Sequence, residues 1–420
     1  MAGFPVVVWF RRDLRLGDHP ALAAAAKGPL LPVFVFDETA WGRAQLPRLA
    51  ASLFALDTAF RAKGGRLVVR RGKPAQVLPG LMAETGARQV FWNRDPAEPA
   101  PAGLPGREFP SSLLFEPGGV RNAEGGPYKV FTPYWKALRR LPPPPRPLPE
   151  PDRLGPIPEA AGESPAGTGA AGEATARARL ESFLDAGLAG YLERRDIPAL
   201  AGTSGLSVPL AFGELSARQV WWATVAAMAG RENDGEGFLR QLAWREFAYH
   251  SLAVFPQLPE RNLNESFDAY PWRDDPQSLA AWQEGRTGFP LVDAGMRELA
   301  ATGTMHNRVR MVAGSFLVRL LGIHWRAGLA WFRDRLLDHD PALNAMNWQW
   351  VAGTGIDAQP FFRIFNPAGQ AARHDPDGAY VRRWAPQGPA PILDYTQARR
   401  QALAAYRGLP KIKPPTHADH

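Results

Sequence analysis

The chain has 420 residues, 45% of them hydrophobic and 21% charged, the composition of a globular protein with two or three domains and not of a disordered one. It carries a formal net charge of +8 and no cysteine, which excludes disulfides, thiolate metal sites and cysteine nucleophiles. The basic balance favours an acidic partner, the missing thiols suit a reducing cytoplasm, and no apolar run reaches the ~18 residues of a membrane span.

The first 120 residues alternate. VVVWF (6–10), LLPVFVF (30–36), RLVVR (66–70) and QVFWN (89–93) read as short strands apolar on both faces, and helices are predicted from Asp18 and Pro20 to Lys27, over 47–63 and over 74–85. This alternation predicts an α/β N-terminal domain with a parallel, Rossmann-like sheet. No G-x-G-x-x-G follows the first strand, so the usual dinucleotide fingerprint is missing. The run LPPPPRPLPEPDRLGPIPEAAGESPAGTGAAGEA (141–174) has no periodic apolar face and reads as a linker.

From about residue 173 the pattern is helical, as in ATARARLESFL (174–184), SARQVWWATVAAM (216–228) with Ser216 at an N-cap position, and GFLRQLAWREFAYH (237–250). The expected organisation is an α/β domain over 1–130, a linker over 131–172 and a larger all-α domain over 173–420. Ten of the fourteen tryptophans lie from residue 221 onward, and residues 300–335 hold six arginines against one acid, Asp334. Arginine interleaved with aromatics suits a nucleic-acid or flat-ring site, although an arginine-rich solvated surface accounts for the charge equally well.

Four stretches have residue types that could carry chemistry. GYLERRD (190–196) followed by GTSGLS (202–207) sets hydroxyls beside glycines, a pattern able to offer donors to a phosphate, or simply a capped loop. In QLAWREF (241–247), helical spacing puts Gln241, Trp244 and Arg245 on one face, which suits a nucleobase as well as it suits a core tryptophan beside an ion pair. MHNRVRM (305–311) supplies Asn307, Arg308, Arg310 and Met311. DHD (338–340) runs into NAMNWQW (344–350), where two carboxylates could work as an acid/base pair, bond a ribose or cap a helix. No H-E-x-x-H or spaced His/Asp cluster appears, so no metal is expected.

Together these stretches resemble the photolyase/cryptochrome family, over nearly the whole chain. VVWFRRDLRLGDHPAL (7–22), YKVFTPYW (128–135), WREF (244–247), AWQEGRTGFPLVDAGMREL (281–299), MHNRVRM and NWQW…GIDAQPFFRIFNP (347–367) are similar to that family's blocks, in order. Among its branches the chain looks most like bacterial photolyases that split cyclobutane pyrimidine dimers in DNA under blue light. The resemblance implies an antenna-type N-terminal domain and a helical domain that holds FAD. It places Tyr191 and Thr203, Ser204, Gly205, Leu206 and Ser207 at the FAD phosphates. Arg245, Asn307, Arg310, Asp338 and Asp340 would lie around flavin and ribose, with Asn344 facing the flavin N5.

For UV-damaged DNA, the resemblance implies a pyrimidine dimer flipped out of the duplex between Trp244 and Trp350, with Gln241, Asn307 and Met311 beside it. Arg195, Arg308, Arg363 and Gln370 would meet the strand. Trp348, Trp325 and Trp282, in that order, would form an indole relay running from flavin to surface, along which the excited flavin draws an electron inward. Gln241 departs from the glutamate usual in dimer photolyases and matches photolyases of the 6-4 photoproduct; Asn307 does not match those. His339 replaces a common glycine between the two aspartates. The segment 93–107 departs from the family's antenna loop, so a second chromophore stays unassigned. A monomer is expected, and the short ending at HADH argues against the rival reading of a cryptochrome-like photoreceptor.

Overall fold

The computed structural model describes residues 4–357 and 362–410, so the HADH ending and residues 358–361 lie outside it. Strands β1 (Val6–Phe10), β2 (Leu30–Phe36), β3 (Val68–Arg71), β4 (Gln89–Asn93) and β5 (Gly106–Phe109) form one parallel sheet in the order β3-β2-β1-β4-β5. Helices α1 (Pro20–Ala25), α2 (Gln45–Ala62) and α3 (Pro74–Thr85) connect the first four. Successive residues of β1 point to opposite faces: Val8 and Phe10 pack with Phe34, Leu53 and Phe60, whereas Val7 and Trp9 pack with Val33 and Leu78. Both faces are buried, which is why the strands read as continuous apolar runs. The register pairs Val8 with Pro32 and Val90 with Gly106.

The helical part comprises α4 (Phe131–Leu138), α5 (Glu173–Ser182), α6 (Tyr191–Arg194), α7 (Ser207–Phe212), α8 (Ala217–Ala227) and α9 (Glu232–Val254). It continues with α10 (Pro276–Gln283), α11 (Pro290–Thr302), α12 (Asn307–Ser315), α13 (Trp325–Arg335), α14 (Pro341–Ala352), α15 (Pro367–His374), α16 (Ala379–Trp384) and α17 (Tyr395–Arg407). Ser216 caps α8 through a reciprocal capping box with Gln219. Residues 131–138, expected in the linker, instead form α4, because FTPYWKAL has an apolar side in Phe131, Tyr134 and Leu138 that packs on α9.

The remaining linker is extended and tied down. Leu148 O accepts from Asp18 N at 2.8 Å, and Pro156 O accepts from Leu30 N at 3.0 Å. Glu163 and Val69 exchange two backbone bonds, which covers the exposed edge of the sheet at β3. The two halves meet through buried polar contacts. Arg15, fully buried, donates to Gly213 O at 2.8 Å, and Arg218 pairs with Asp18 at 3.0 Å. Gln45 Nε2 donates to His339 O at 3.0 Å, so α2 buttresses the DHD turn from behind.

Candidate flavin and nucleic-acid site

The site is built around α9. Trp244 lies flat on Phe131 of α4, with ring centroids 3.6 Å apart and planes at 11°. One residue on, Arg245 sits 4.8 Å over the Tyr249 ring, and its Nη2 is 3.9 Å from the Asp340 carboxylate. Spacing of i and i+4 on α9 brings Arg245 and Tyr249 to the same acid. Tyr249 O–H donates to Asp340 Oδ2 at 2.8 Å, while Asp340 Oδ1 accepts from the backbone N–H groups of Ala342 and Leu343 at 3.0 and 3.1 Å. One carboxylate thus caps α14 and ties it to α9.

α14 carries Asn344, Trp348 and Trp350. Asn344 is buried and donates to Leu329 O on α13 at 3.0 Å; among the described residues its Oδ1 takes no bond. Trp350 is half-buried and Asn347 exposed. From α12, Arg310 pairs with Asp338 at 2.9 Å and donates to Met305 O at 2.7 Å. His339, between the aspartates, is buried, and burial pulls its imidazole down to about 4, so it is neutral at physiological pH. Tyr191 is buried against Phe183 and Phe238, with the Arg195 guanidinium 5.5 Å from its ring. Thr203 to Leu206 lead into α7, whose first N–H groups have no side-chain cap; Thr203 and Ser207 are exposed and Gly205 has φ +64°.

These residues fit a flavin dinucleotide. Arg245 Nη1 and Asp338 Oδ1 are buried polar atoms with no hydrogen-bond partner among the described residues, and buried polar atoms need one. An uncapped helix start beside hydroxyls is chemically suited to phosphate.

The expected relay order does not hold. Trp282 is fully buried, donates to Ala313 O at 2.9 Å and lies directly against Trp348, with centroids 6.2 Å apart. A residue with no exposed surface cannot be the surface end, and Trp282 is a packing neighbour of Trp348. Trp325 is also fully buried and donates to Asn262 at 2.7 Å. It stands three residues before Gly328, and a Cβ on that glycine would meet the Trp348 ring at 2.1 Å, so Trp325 is one helical turn from that indole. On its other side Trp325 contacts His324 at 5.3 Å, and His324 contacts the half-buried Trp272 at 4.8 Å. Trp272 was missed because nothing in the sequence separates it from Trp282.

The face expected to meet a strand is cationic. Arg308 pairs with Asp196 at 2.6 Å, and Arg195 donates to Gln241 at 2.9 Å. Arg363 is exposed, 4.5 Å from the Phe365 ring; partial burial, then the neighbouring Arg308 and Arg373 charges, lower its pKa. Arg373 is a further member of this group that sequence reasoning missed. Asn307 is exposed, with its amide 3.9 Å from the Met311 sulfur, and Gln370 is half-buried. Among the described residues there is no cluster that could hold a metal and no helix long and apolar enough to cross a membrane.

In the N-terminal half the strand order reverses between β1 and β4, the usual ligand crevice of such sheets. Here Arg11 fills it, bonding the carbonyls of Asn93 and Glu98, while Arg12 lies 4.1 Å over Trp41, and Arg245 and Tyr249 close it from α9.

An α/β sheet joined to a helical half, with aromatic, cationic and unpaired buried polar side chains gathered about α9 and α14, is the architecture of a two-domain protein suited to a flavin and a nucleic acid. Residues 6–152 match the family model of DNA photolyase, and residues 238–390 match that of the FAD binding domain of DNA photolyase. The chain belongs to the DNA photolyase family. It is 43% identical to a deoxyribodipyrimidine photo-lyase of Agrobacterium fabrum, over 97% of this chain and 98% of that one. A crystal structure of a bacterial class III photolyase from Agrobacterium tumefaciens superposes with TM-score 0.90 at 42% identity, covering 97% and 98%. An archaeal photolyase from Sulfolobus tokodaii, solved with two FAD molecules, superposes at TM-score 0.81 with 25% identity, covering 97% of this chain and 100% of that one.

Proposed function

We propose that this protein repairs DNA in the light by splitting cyclobutane pyrimidine dimers. The supporting observation is the 43% identity to a deoxyribodipyrimidine photo-lyase along 97% of the chain, with the α9–α14 constellation in place. FAD, when bound in reduced form and excited by blue light, supplies one electron that opens the dimer and then returns, without net redox change.

The chain's own residues do the rest. Arg245, Arg310, Asp338 and Asp340 hold the flavin and ribose, and Tyr191 with Thr203, Ser204, Gly205, Leu206 and Ser207 lines the phosphates. Asn344 meets the flavin edge with a neutral amide that neither gives nor takes a proton readily. Trp244 and Trp350 wall the lesion pocket, with Gln241, Asn307 and Met311 at its edges, where stacking contributes ~1–3 kcal/mol per base. Arg195, Arg308, Arg363 and Gln370, joined by Arg373, position the strand through its phosphates without reading sequence.

The relay to solvent runs from Trp348 through Trp325 and His324 to Trp272. Trp348→Phe and Trp272→Phe are each expected to abolish sustained flavin photoreduction. Trp282→Phe should retain photoreduction and lower stability. Photoreduction that survives Trp272→Phe and is lost in Trp282→Phe would overturn this order.

The reaction itself is tested with two oligonucleotides, one carrying a thymine cyclobutane dimer and one a 6-4 lesion, each with reduced protein in blue light and in darkness. Light-dependent restoration of the first alone is expected. Restoration of the second alone would reassign the substrate, and repair of neither with flavin bound would leave a photoreceptor.

A further inference from the structure

Asp357 stands in the turn that follows α14 and, with φ +53°, is one of two non-glycine residues with positive φ among the described residues. That backbone is uncommon away from glycine and is found where the surroundings hold it. Here both polar groups of the residue reach α4. Asp357 N–H donates to Lys129 O at 2.9 Å, and Asp357 Oδ1 accepts from Phe131 N at 2.9 Å. Phe131 is the first residue of α4, where helix N–H groups have no partner within the helix, and Val130 before it provides no side-chain cap. Asp357 supplies that cap from 226 residues away.

The turn is fixed to α14. Fully buried Gln349 accepts from Thr354 N at 3.0 Å through its backbone oxygen and from Thr354 Oγ1 at 3.2 Å through its side chain. Its amide nitrogen donates to Leu258 O and Arg261 O at 2.6 and 2.7 Å. On the other side, Phe131 carries Trp244 flat against its ring, and Arg240 lies 5.4 Å over the same ring. The Trp350 indole belongs to the group as well. Burial raises the Asp357 pKa, and the Phe131 N–H, the Trp350 side chain and the Arg240 charge draw it back. Trp350 Nε1 has no partner within ordinary hydrogen-bond geometry among the described residues, which leaves Asp357 as the acid beside it. One carboxylate therefore joins the support of Trp244 to the helix that bears Trp350.

Resting on the lesion pocket proposed above, we propose that Asp357 is a positioning residue that sets the gap between Trp244 and Trp350, and with it the preference for a flipped dimer over an intact strand. Two aromatic walls stack on a ligand only while their separation matches it. Without the clamp, α4 can move with Phe131 and Trp244 while α14 stays in place. Contacts from Arg308, Arg363 and Arg373 to strand phosphates do not depend on that gap, so binding of an undamaged strand should be indifferent to it.

Two variants separate the carboxylate from the backbone it sits on. Asp357→Gly suits the left-handed conformation but has no side chain, whereas Asp357→Asn tolerates that conformation and keeps an accepting oxygen. The flavin-loaded proteins are compared in darkness, by fluorescence anisotropy, on an oligonucleotide carrying a thymine cyclobutane dimer and on the same strand undamaged. Hydrogen exchange at the Phe131 amide reads the clamp directly. Asp357→Gly should weaken dimer binding by about tenfold or more and change undamaged binding by less than about twofold, with faster exchange at Phe131. Asp357→Asn should restore the preference to within about threefold, together with the protection. Flavin retention and photoreduction should be unchanged in both, since Trp348, Trp325 and Trp272 make none of these contacts. A dimer preference kept in Asp357→Gly, or an equal loss on the undamaged strand, would overturn the proposal. Asp357→Asn no better than Asp357→Gly would also overturn it, because the accepting oxygen would then not be what holds the walls. Equal binding of both strands by the unaltered protein would overturn the lesion pocket and this inference with it. Absence of light-dependent repair, with the preference and its dependence on Asp357 intact, would overturn the proposed enzyme activity alone.

Discussion

The Asp340 carboxylate accepts from two backbone N–H groups at the start of α14 with one oxygen and from the Tyr249 hydroxyl with the other, 3.9 Å from Arg245. Its removal has separable consequences. Loss of an N-cap costs about 1 kcal/mol, and a buried hydroxyl left unpaired costs about 1–3 kcal/mol more. Asp340→Ala should therefore lower unfolding stability by roughly 2–4 kcal/mol, read from urea midpoints. Asp340→Asn keeps a side-chain oxygen for the cap, since asparagine and aspartate cap equally well, and should cost under about 2 kcal/mol. What Asn cannot supply is the negative charge toward Arg245, so its larger effect should appear as faster flavin loss on dialysis. If Asn were as destabilising as Ala, the cap would not be what the carboxylate contributes to the fold.

At the scale of elements, the seam between α13 and α14 depends on Gly328. A Cβ built there would lie 2.1 Å from one atom of the Trp348 indole and 2.5 Å from two more, so the two helices can approach only because that position is bare. Gly328→Ala would gain ~1 kcal/mol in helix propensity but must displace a buried ring, and overpacking of this kind costs ~1–3 kcal/mol or more. A lower thermal midpoint is expected, together with slower photoreduction as Trp348 shifts; a raised midpoint would show that the seam has slack. No sequence pattern announces such a contact.

The sequence was most legible where one physical constraint acts alone. β1, β2 and β4 are buried on both faces and read as apolar runs, whereas β5, GREF, buries only Phe109 and carries no such signal. The QLAWREF face was legible because helical spacing forces Gln241, Trp244 and Arg245 together. Trp272 and Trp282 sit ten residues apart in similar surroundings, and only tertiary packing buries the second and leaves the first half-open. The bond from Arg195 to Gln241 spans 46 residues and was equally invisible.

Across the whole molecule, the two halves are joined by buried charges, and one of them gives the junction a pH signature. Glu246, on α9 beside Arg245, reaches across to accept from Leu114 N at 2.7 Å. Burial raises its pKa to about 7, against the partial relief offered by Arg245, whose Nη1 is 3.6 Å away, and by Arg218. An acid raised in the fold binds its proton more tightly there than in the unfolded chain. Below pH 4.5, the ordinary value, both states are protonated and nothing is lost. As pH climbs from 4.5 to about 7 the unfolded chain sheds the proton while the fold retains it, so this group's contribution falls through that window and stays low above it. Three histidines, the buried His339 and the partly buried His306 and His324, lowered to about 4, act in the opposite sense, so total stability would mask the effect. Glu246→Gln isolates it, because the amide oxygen can still accept from Leu114. The variant should match the unaltered protein at pH 4.5 and exceed it by an amount growing toward pH 8, on the order of 3 kcal/mol at most. A difference independent of pH would mean that Glu246 is ionised in the fold. In the protonated state it offers Arg245 no charge, which leaves Asp340 as the nearest counter-charge to that guanidinium and keeps Arg245 electrostatically available on the side where a flavin would lie.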